Sequence, residues 1–195
     1  VPIDPRINTL RDIMLKGPRI TLRHMAESDL PLFAAIRADP GAHGEHTQTD
    51  ATSPTVVRKK FLETGYSTAN SEVLLICDEN DVVIGHVAHF TERAYSSARE
   101  LGWLLYEDEA RGKGYATEAV SLLINYLFSS FPINRVECVT SPENLKSVEL
   151  AKRVGLTFEG TLRQLVFVRG KYADGAVFSM LRSEWQERQG SASAT

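Results

Sequence analysis

The chain has 195 residues, 43% of them hydrophobic and 24% charged, which suits a single buried core of ordinary globular composition. A net charge of −3 and a pI near 6.0 give no electrostatic reason to expect nucleic acid as the main ligand. No apolar run reaches the roughly 20 residues that cross a bilayer, and the opening VPIDPRINTLRDIML lacks the basic-then-apolar order of a signal peptide.

Residues 1–17 read as an irregular arm ahead of the first strand, Arg19–His24. Ser28-Asp29 caps a short helix, Leu30–Ala38, which Pro40-Gly41 ends. A polar loop, Ala42–Ser53, carries His43 and His46 and precedes a second helix, Pro54–Thr64. Glu72–Cys77 and Val82–Phe90 form two strands about a tight Asp78–Asp81 turn. A fourth strand, Ala98–Tyr106, leads through a glycine turn into helix Thr117–Ser129. After Pro132 come strand Arg135–Thr140 and helix Leu145–Val154, with Gly155 at the position after the helix end. Strands Leu162–Val168 and Ala176–Leu181 close the chain around a Gly170–Gly175 turn, and Gln189–Thr195 is small and polar enough to fray. The expected division is an arm over 1–18, one domain over 19–185 and a flexible tail over 186–195.

A crossover helix between strands 98–106 and 135–140 requires these two to run parallel, while the remaining pairs read as antiparallel. The fold class is therefore α+β, a mixed and mostly antiparallel sheet flanked by helices. The pattern Gly-x-Gly-x-x-Gly of a dinucleotide fold is absent. Cys77 and Cys138 sit in apolar strands and read as buried free thiols, which suits a reducing cytoplasm. His86 and His89, three apart in one strand, face opposite sides of the sheet. No Cys/His spacing suggests a metal site, and no Gly-x-Ser-x-Gly elbow suggests a hydrolase.

The most informative segment is Glu109–Ala119, EARGKGYATEA, at the strand-to-helix turn. Small residues there let a bulky anion approach the backbone. The first amides of the following helix point outward at the positive end of its dipole. The bland reading is a solvated basic turn; the functional one is a diphosphate cradle.

Arg111-Gly112-Lys113-Gly114-Tyr115-Ala116-Thr117-Glu118-Ala119 resembles the acyl-CoA-binding motif of the GNAT superfamily of N-acyltransferases. Further segments, in the family's order from about residue 19 to 185, resemble its RimJ/RimL branch. They are Ile20-Thr21-Leu22-Arg23 with Ser28-Asp29, Glu100-Leu101-Gly102-Trp103, Asn144-x-x-Ser147, Gly155-Leu156-x-Phe158-Glu159-Gly160 and Gly170-Lys171-Tyr172-x-Asp174. The resemblance implies a GNAT-like sheet whose parallel pair splays apart to admit the pantetheine arm. It also implies an acetyl-CoA-dependent N-acetyltransferase acting on a primary amine by direct attack in a ternary complex. Such an enzyme works in the cytoplasm, as a monomer or homodimer, without membrane or nucleic acid.

The resemblance also assigns roles. Leu105 and Tyr106 contact pantetheine through the backbone, the amides of Arg111, Gly112, Lys113, Gly114, Tyr115 and Ala116 hold the diphosphate, and Asn144 bonds the pantetheine. Glu100 is the candidate base, or else a strand-end carboxylate in a salt bridge. Many members protonate the leaving thiolate with a tyrosine, and the position that corresponds here is Ala151; Ser147 is the substitute, or else a helix-surface residue. The loop with His43 and His46 covers the acceptor site. Cys138, the one nucleophile that could carry an acyl-enzyme, is read as packing. Two alternatives stay open: a donor that is another acyl-CoA or an aminoacyl-tRNA, and a non-catalytic acyl-CoA-binding module.

Overall fold

The computed structural model describes residues 13–47, 51–91 and 97–192. Its eight-stranded sheet runs in the order β1 (Ile13–Lys16), β2 (Thr21–Arg23), β3 (Ser71–Cys77), β4 (Val83–Phe90), β5 (Arg99–Leu105), β6 (Arg135–Thr140), β8 (Lys171–Leu181), β7 (Thr157–Val168). Neighbours are antiparallel throughout, except β5 and β6. Helices α1 (Leu30–Ala38), α2 (Pro54–Thr64), α3 (Tyr115–Ser130), α4 (Leu145–Arg153) and α5 (Arg182–Ala192) cover the sheet.

The parallel pair is short. Among the described residues, only Arg99↔Val136 and Glu100↔Glu137 are in register. Yet β5 pairs with β4 from Glu100 to Leu105, and β6 pairs with β8 from Arg135 to Thr140. The sheet is therefore two half-sheets that touch at one end of β5 and β6 and part toward the other.

Strand alternation sends apolar side chains to both faces. Leu74 and Ile76 of β3 join Val87, Leu101, Val136 and Cys138 in the main core, against α3 and α4. Leu75 and Cys77 pack the opposite way, with Phe33 and Ala34 of α1 and Val57 of α2. Helix α3 supplies Ala119, Val120, Leu123, Ile124, Leu127 and Phe128 to the main core at helical spacing. Its last turn carries no basic residue of its own. Arg182 provides the cation instead, donating to the carbonyls of Phe128, Phe131 and Ile133.

Helix 54–64 and strand 135–140 have the bounds that the sequence predicts. Three regions differ. Residues 13–16, expected in an irregular arm, form β1 and pair with β2; the rest of the arm, 1–12, lies outside the described residues. The closing hairpin is longer than expected, with β7 starting at Thr157 and β8 at Lys171 about a turn at Arg169-Gly170. Register shifts between Phe158 and Gly160 and between Leu162 and Val166 break the alternation by which a strand is recognised. Finally, residues 186–192 continue as helix α5 instead of a flexible tail. Trp185 stacks on Phe128 and donates to Asn125, and Arg188 donates to the carbonyls of Val154 and Gly155. Docking contacts, not helix propensity, order this segment.

On the α3 face, Glu72 sits between two imidazoles: its carboxylate lies 2.8 Å from His24 Nε2 and 3.4 Å from His89 Nε2, and accepts from Ser67 Oγ at 3.0 Å. Burial opposes ionisation of this carboxyl, but the hydrogen bonds from His89, His24 and Ser67 outweigh it and bring it from 4.5 down to about 2. Glu72 thus contributes stability that is complete above pH 4.5 and is lost as pH falls toward about 2. Glu72→Gln should unfold more easily in urea at pH 7, by about 1–3 kcal/mol, and the gap from wild type should close as the pH falls through that window. A gap that stays constant with pH would disprove the assignment.

Candidate functional site

Because β5 and β6 are parallel, both end at the same edge of the sheet, and the chain leaves each of them there. From β5 it passes through a short turn, Asp108–Ala110, and the loop Arg111–Gly114 into α3. From β6 it passes through Ser141–Asn144 into α4. The mouth of the gap is consequently flanked by two helix N-termini.

Gly112 and Gly114 have φ of +75° and +84°. Both conformations are easy for glycine and strained for other residues. Gly114 caps α3 without a side-chain hydrogen bond. The amides of Tyr115, Ala116 and Thr117 fill the first turn and have no partner inside the helix. This end of α3 is an electropositive concavity built from backbone.

The loop corrects one detail. The Arg111 N–H donates to the Asp108 carbonyl at 3.0 Å, so the cradle of amides begins at Gly112 and not at Arg111. The Arg111 guanidinium pairs with the Asp108 carboxylate and reaches the Leu105 carbonyl at 3.5 Å, tying the loop to the end of β5. Lys113 is exposed, Ala116 is half-buried against the main core, and the Tyr115 ring lies beneath the Arg19 guanidinium.

Leu105 packs its side chain into the main core. Tyr106 extends the pairing with β4, its N–H donating to Ile84 O at 3.0 Å, so any backbone contact to a ligand falls to its carbonyl. The Tyr106 hydroxyl lies 3.1 Å from His86 Nδ1. Burial, with nearby Asp29 and Cys77, raises the Tyr106 phenol above its usual range. His86 is pushed down to about 4, by burial first and then by Arg37 and His43. His86 is therefore neutral at physiological pH.

Asn144 caps α4, its side-chain oxygen accepting from Ser147 N at 3.2 Å. Both residues are half-buried. Ala151, one turn beyond Ser147, is fully buried in the main core. Glu100 lies at the point where the half-sheets meet, opposite Phe90 on β4 and Glu137 on β6. It is half-buried. Residues paired across strands share a face, so Glu100 lies on the α1–α2 side, as does His86, which pairs with Leu104. His43 is buried there with no hydrogen-bond partner for Nε2 among the described residues. The Arg169 guanidinium at the hairpin tip donates to Gly44 O at 3.4 Å, joining the hairpin to the loop of His43. Sequence reasoning did not find the Arg19 contact, the His86–Tyr106 pair or Glu137. Each depends on residues far apart in the chain.

Cys77 and Cys138 are both free and buried. Burial, reinforced by the Glu100 and Glu137 carboxylates, pushes Cys138 up to about 12. No group of His, Cys, Asp and Glu able to hold a metal ion occurs among the described residues, and none of their helices is long and apolar enough to cross a membrane.

Residues 19–157 match the sequence model of the acetyltransferase (GNAT) domain. The chain is 29% identical over 170 residues to the uncharacterised N-acetyltransferase p20 of Bacillus licheniformis, covering 86% of this chain and 95% of that protein. In fold it is similar to spermidine N-acetyltransferase from Vibrio cholerae, solved with CoA and spermine (TM-score 0.76, 19% identity, 87% and 99% of the two chains). It is similarly close to RimL, the ribosomal L7/L12 α-N-protein acetyltransferase, solved with coenzyme A (TM-score 0.77, 18% identity, 89% and 99%).

A buried thiol held at about 12 is a poor nucleophile. Native protein treated with iodoacetamide at mildly alkaline pH should leave Cys138 unmodified in peptide mass spectra, while protein unfolded in urea should label there. Rapid alkylation of Cys138 in the native state would restore it as a candidate nucleophile.

Proposed function

Since the chain belongs to the GNAT acetyltransferase family and is an acyl-CoA-dependent N-acetyltransferase, we propose that it moves an acetyl group from acetyl-CoA to a primary amine, as a member of the RimJ/RimL-like branch. The observation that carries the reading is the gap between β5 and β6 with a glycine-built helix N-terminus at its mouth. An open strand edge suits the amides of a pantetheine arm, and the concavity at Gly112–Ala116 suits a diphosphate. Arg111 and Lys113 add positive charge, and Asn144 stands on the opposite bank of the gap.

In this reading Glu100 is the base. It sits where the half-sheets join, at the inner end of the gap and on the face of the acceptor loop. It takes a proton from the ammonium form of the acceptor, directly or through water, so that the neutral nitrogen attacks the thioester carbonyl. The C–N bond forms, the C–S bond breaks, the nitrogen releases its second proton to solvent as it becomes an amide, and the thiolate receives a proton from solvent or from Ser147, which solvent then reprotonates. His86 does not substitute for Glu100 in this reading, because this imidazole is buried and engaged with Tyr106. Cys138 takes no part, so acyl transfer is direct. The acceptor is a protein N-terminus, an antibiotic amine or a small amino compound. It is recognised on the face lined by α1, α2 and the loop of His43.

Gly114→Asp should abolish CoA binding in calorimetry, since it forces a side chain into a left-handed position and places a negative charge in the anion cradle. Unchanged CoA affinity would sink the cradle assignment. Glu100→Gln should lower kcat at neutral pH by roughly 10²- to 10⁴-fold with a smaller change in KM. If the pH–rate profile keeps its acid limb in that variant, Glu100 is not the base. A thiol-release screen with acetyl-CoA against peptides, aminoglycosides and polyamines identifies the acceptor class.

A further inference from the structure

Arg19 stands between the β1–β2 turn and β2, and Glu118 lies in the fourth position of α3, 99 residues later. The Glu118 carboxylate accepts from the Arg19 backbone N–H at 2.9 Å, the Ile20 N–H at 3.2 Å and Arg19 Nε at 2.9 Å. The same guanidinium donates through Nη1 to the Lys113 carbonyl at 2.7 Å. It lies over the Tyr115 ring, 5.5 Å from the centroid, and its Nη2 is 3.1 Å from where a Cβ on Gly114 would stand. The β1–β2 turn is fitted to this contact, since a Cβ on Gly17 would fall 2.4 Å from Glu118 Oε1. One side chain therefore brackets the junction of glycine loop and helix, holding Lys113 on one side and Glu118 on the other.

The consequence follows from the peptide plane. The Lys113–Gly114 peptide is trans and planar, so its C=O and N–H point in opposite directions. With the carbonyl fixed on Arg19, the Gly114 N–H is turned to the other side of the loop. Glu118 presents a second problem. A carboxylate one turn into a helix is drawn toward the same positive helix end that an anionic ligand needs. Bound by two backbone amides and a guanidinium of the β2 entry, it is withheld from that end.

We propose that Arg19 is a positioning residue for the diphosphate of the acyl donor. It sets the Lys113–Gly114 peptide with its N–H toward the ligand and holds Glu118 away from it. This rests on the acyl-CoA reading of the loop. Positioning and simple charge make opposite predictions at Glu118. Glu118→Gln removes a negative charge near an anion site, which by charge alone would tighten CoA binding. Positioning requires it to weaken binding, because Arg19 loses its anchor.

The test is CoA binding by calorimetry together with steady-state kinetics using acetyl-CoA and acetyl-pantetheine, which lacks the diphosphate. Arg19→Met should weaken CoA binding roughly 10- to 100-fold, and Glu118→Gln should weaken it by a smaller factor. In both variants kcat and the KM for acetyl-pantetheine should stay at wild-type values. Unchanged or tighter CoA binding in Glu118→Gln overturns the proposal, as does an equal loss with acetyl-pantetheine. If Arg19→Met does not fold by circular dichroism, Glu118→Gln decides alone. Wild-type protein that does not bind CoA would instead overturn the underlying reading of the loop.

Discussion

The parting of β5 from β6 is the constraint on which the rest of the structure depends. A central strand normally pairs along both edges, because unpaired backbone groups inside a sheet are costly. Here β5 is paired to β4 from Glu100 to Leu105 and β6 to β8 along its length, but among the described residues the two half-sheets share only two residue pairs. The unpaired stretch of β5 beyond Glu100 is left to water or a ligand with amides of its own. Parallel direction does the rest. It makes both strands end at one edge and brings the N-termini of α3 and α4 to that edge. The gap, the backbone concavity at the start of α3 and the Asn144 cap thus result from a single topological choice.

The sheet then separates two tasks. Its α3 face is filled by the main core. Its α1–α2 face carries a smaller core and more polarity: Glu100, His86, Tyr106 and His43 all belong there. Among these, burial disarms the imidazole of His86 and the phenol of Tyr106 as proton carriers near neutrality. The proposal of Glu100 as base rests on its position. Glu100 stands half-buried at the vertex of the gap, in reach of solvent, while its titratable neighbours are sequestered.

How much of this was legible in the sequence depended on whether the information was local. Capped, periodic helices such as 54–64 and a glycine turn with its own conformational requirement are written in consecutive residues, and they were read well. The parallel pair was also legible, because a crossover helix leaves no other direction. Helix α5 was not, since Gly190 and the small polar residues around it argue against helix, and Trp185, Arg182 and Arg188 order it only through contacts with α3 and α4. The long β7–β8 hairpin was hidden by its bulges. Within the candidate site, the motif positions could be named from the sequence, but not their partners. Nothing local connects Arg19 to Lys113 or Glu137 to Glu100.

Ala151 bears on how the proposed reaction would end. A tyrosine there would serve to protonate the departing thiolate, but Ala151 is fully buried and its side chain offers no proton. The need is modest. An alkyl thiol with a pKa near 8.5 leaves as a thiolate without prior protonation far more readily than an amine would, so the step that demands catalysis is attack by a neutral nitrogen. Ser147 lies one turn nearer the helix N-terminus, stacked above Ala151 at i, i+4 spacing and at the positive end of the α4 dipole, where a developing negative charge on oxygen is stabilised. A weak donor in that place is chemically sufficient for a good leaving group. The burden of the proposed mechanism therefore shifts to Glu100 and to the loop that fixes the donor, and away from a general acid.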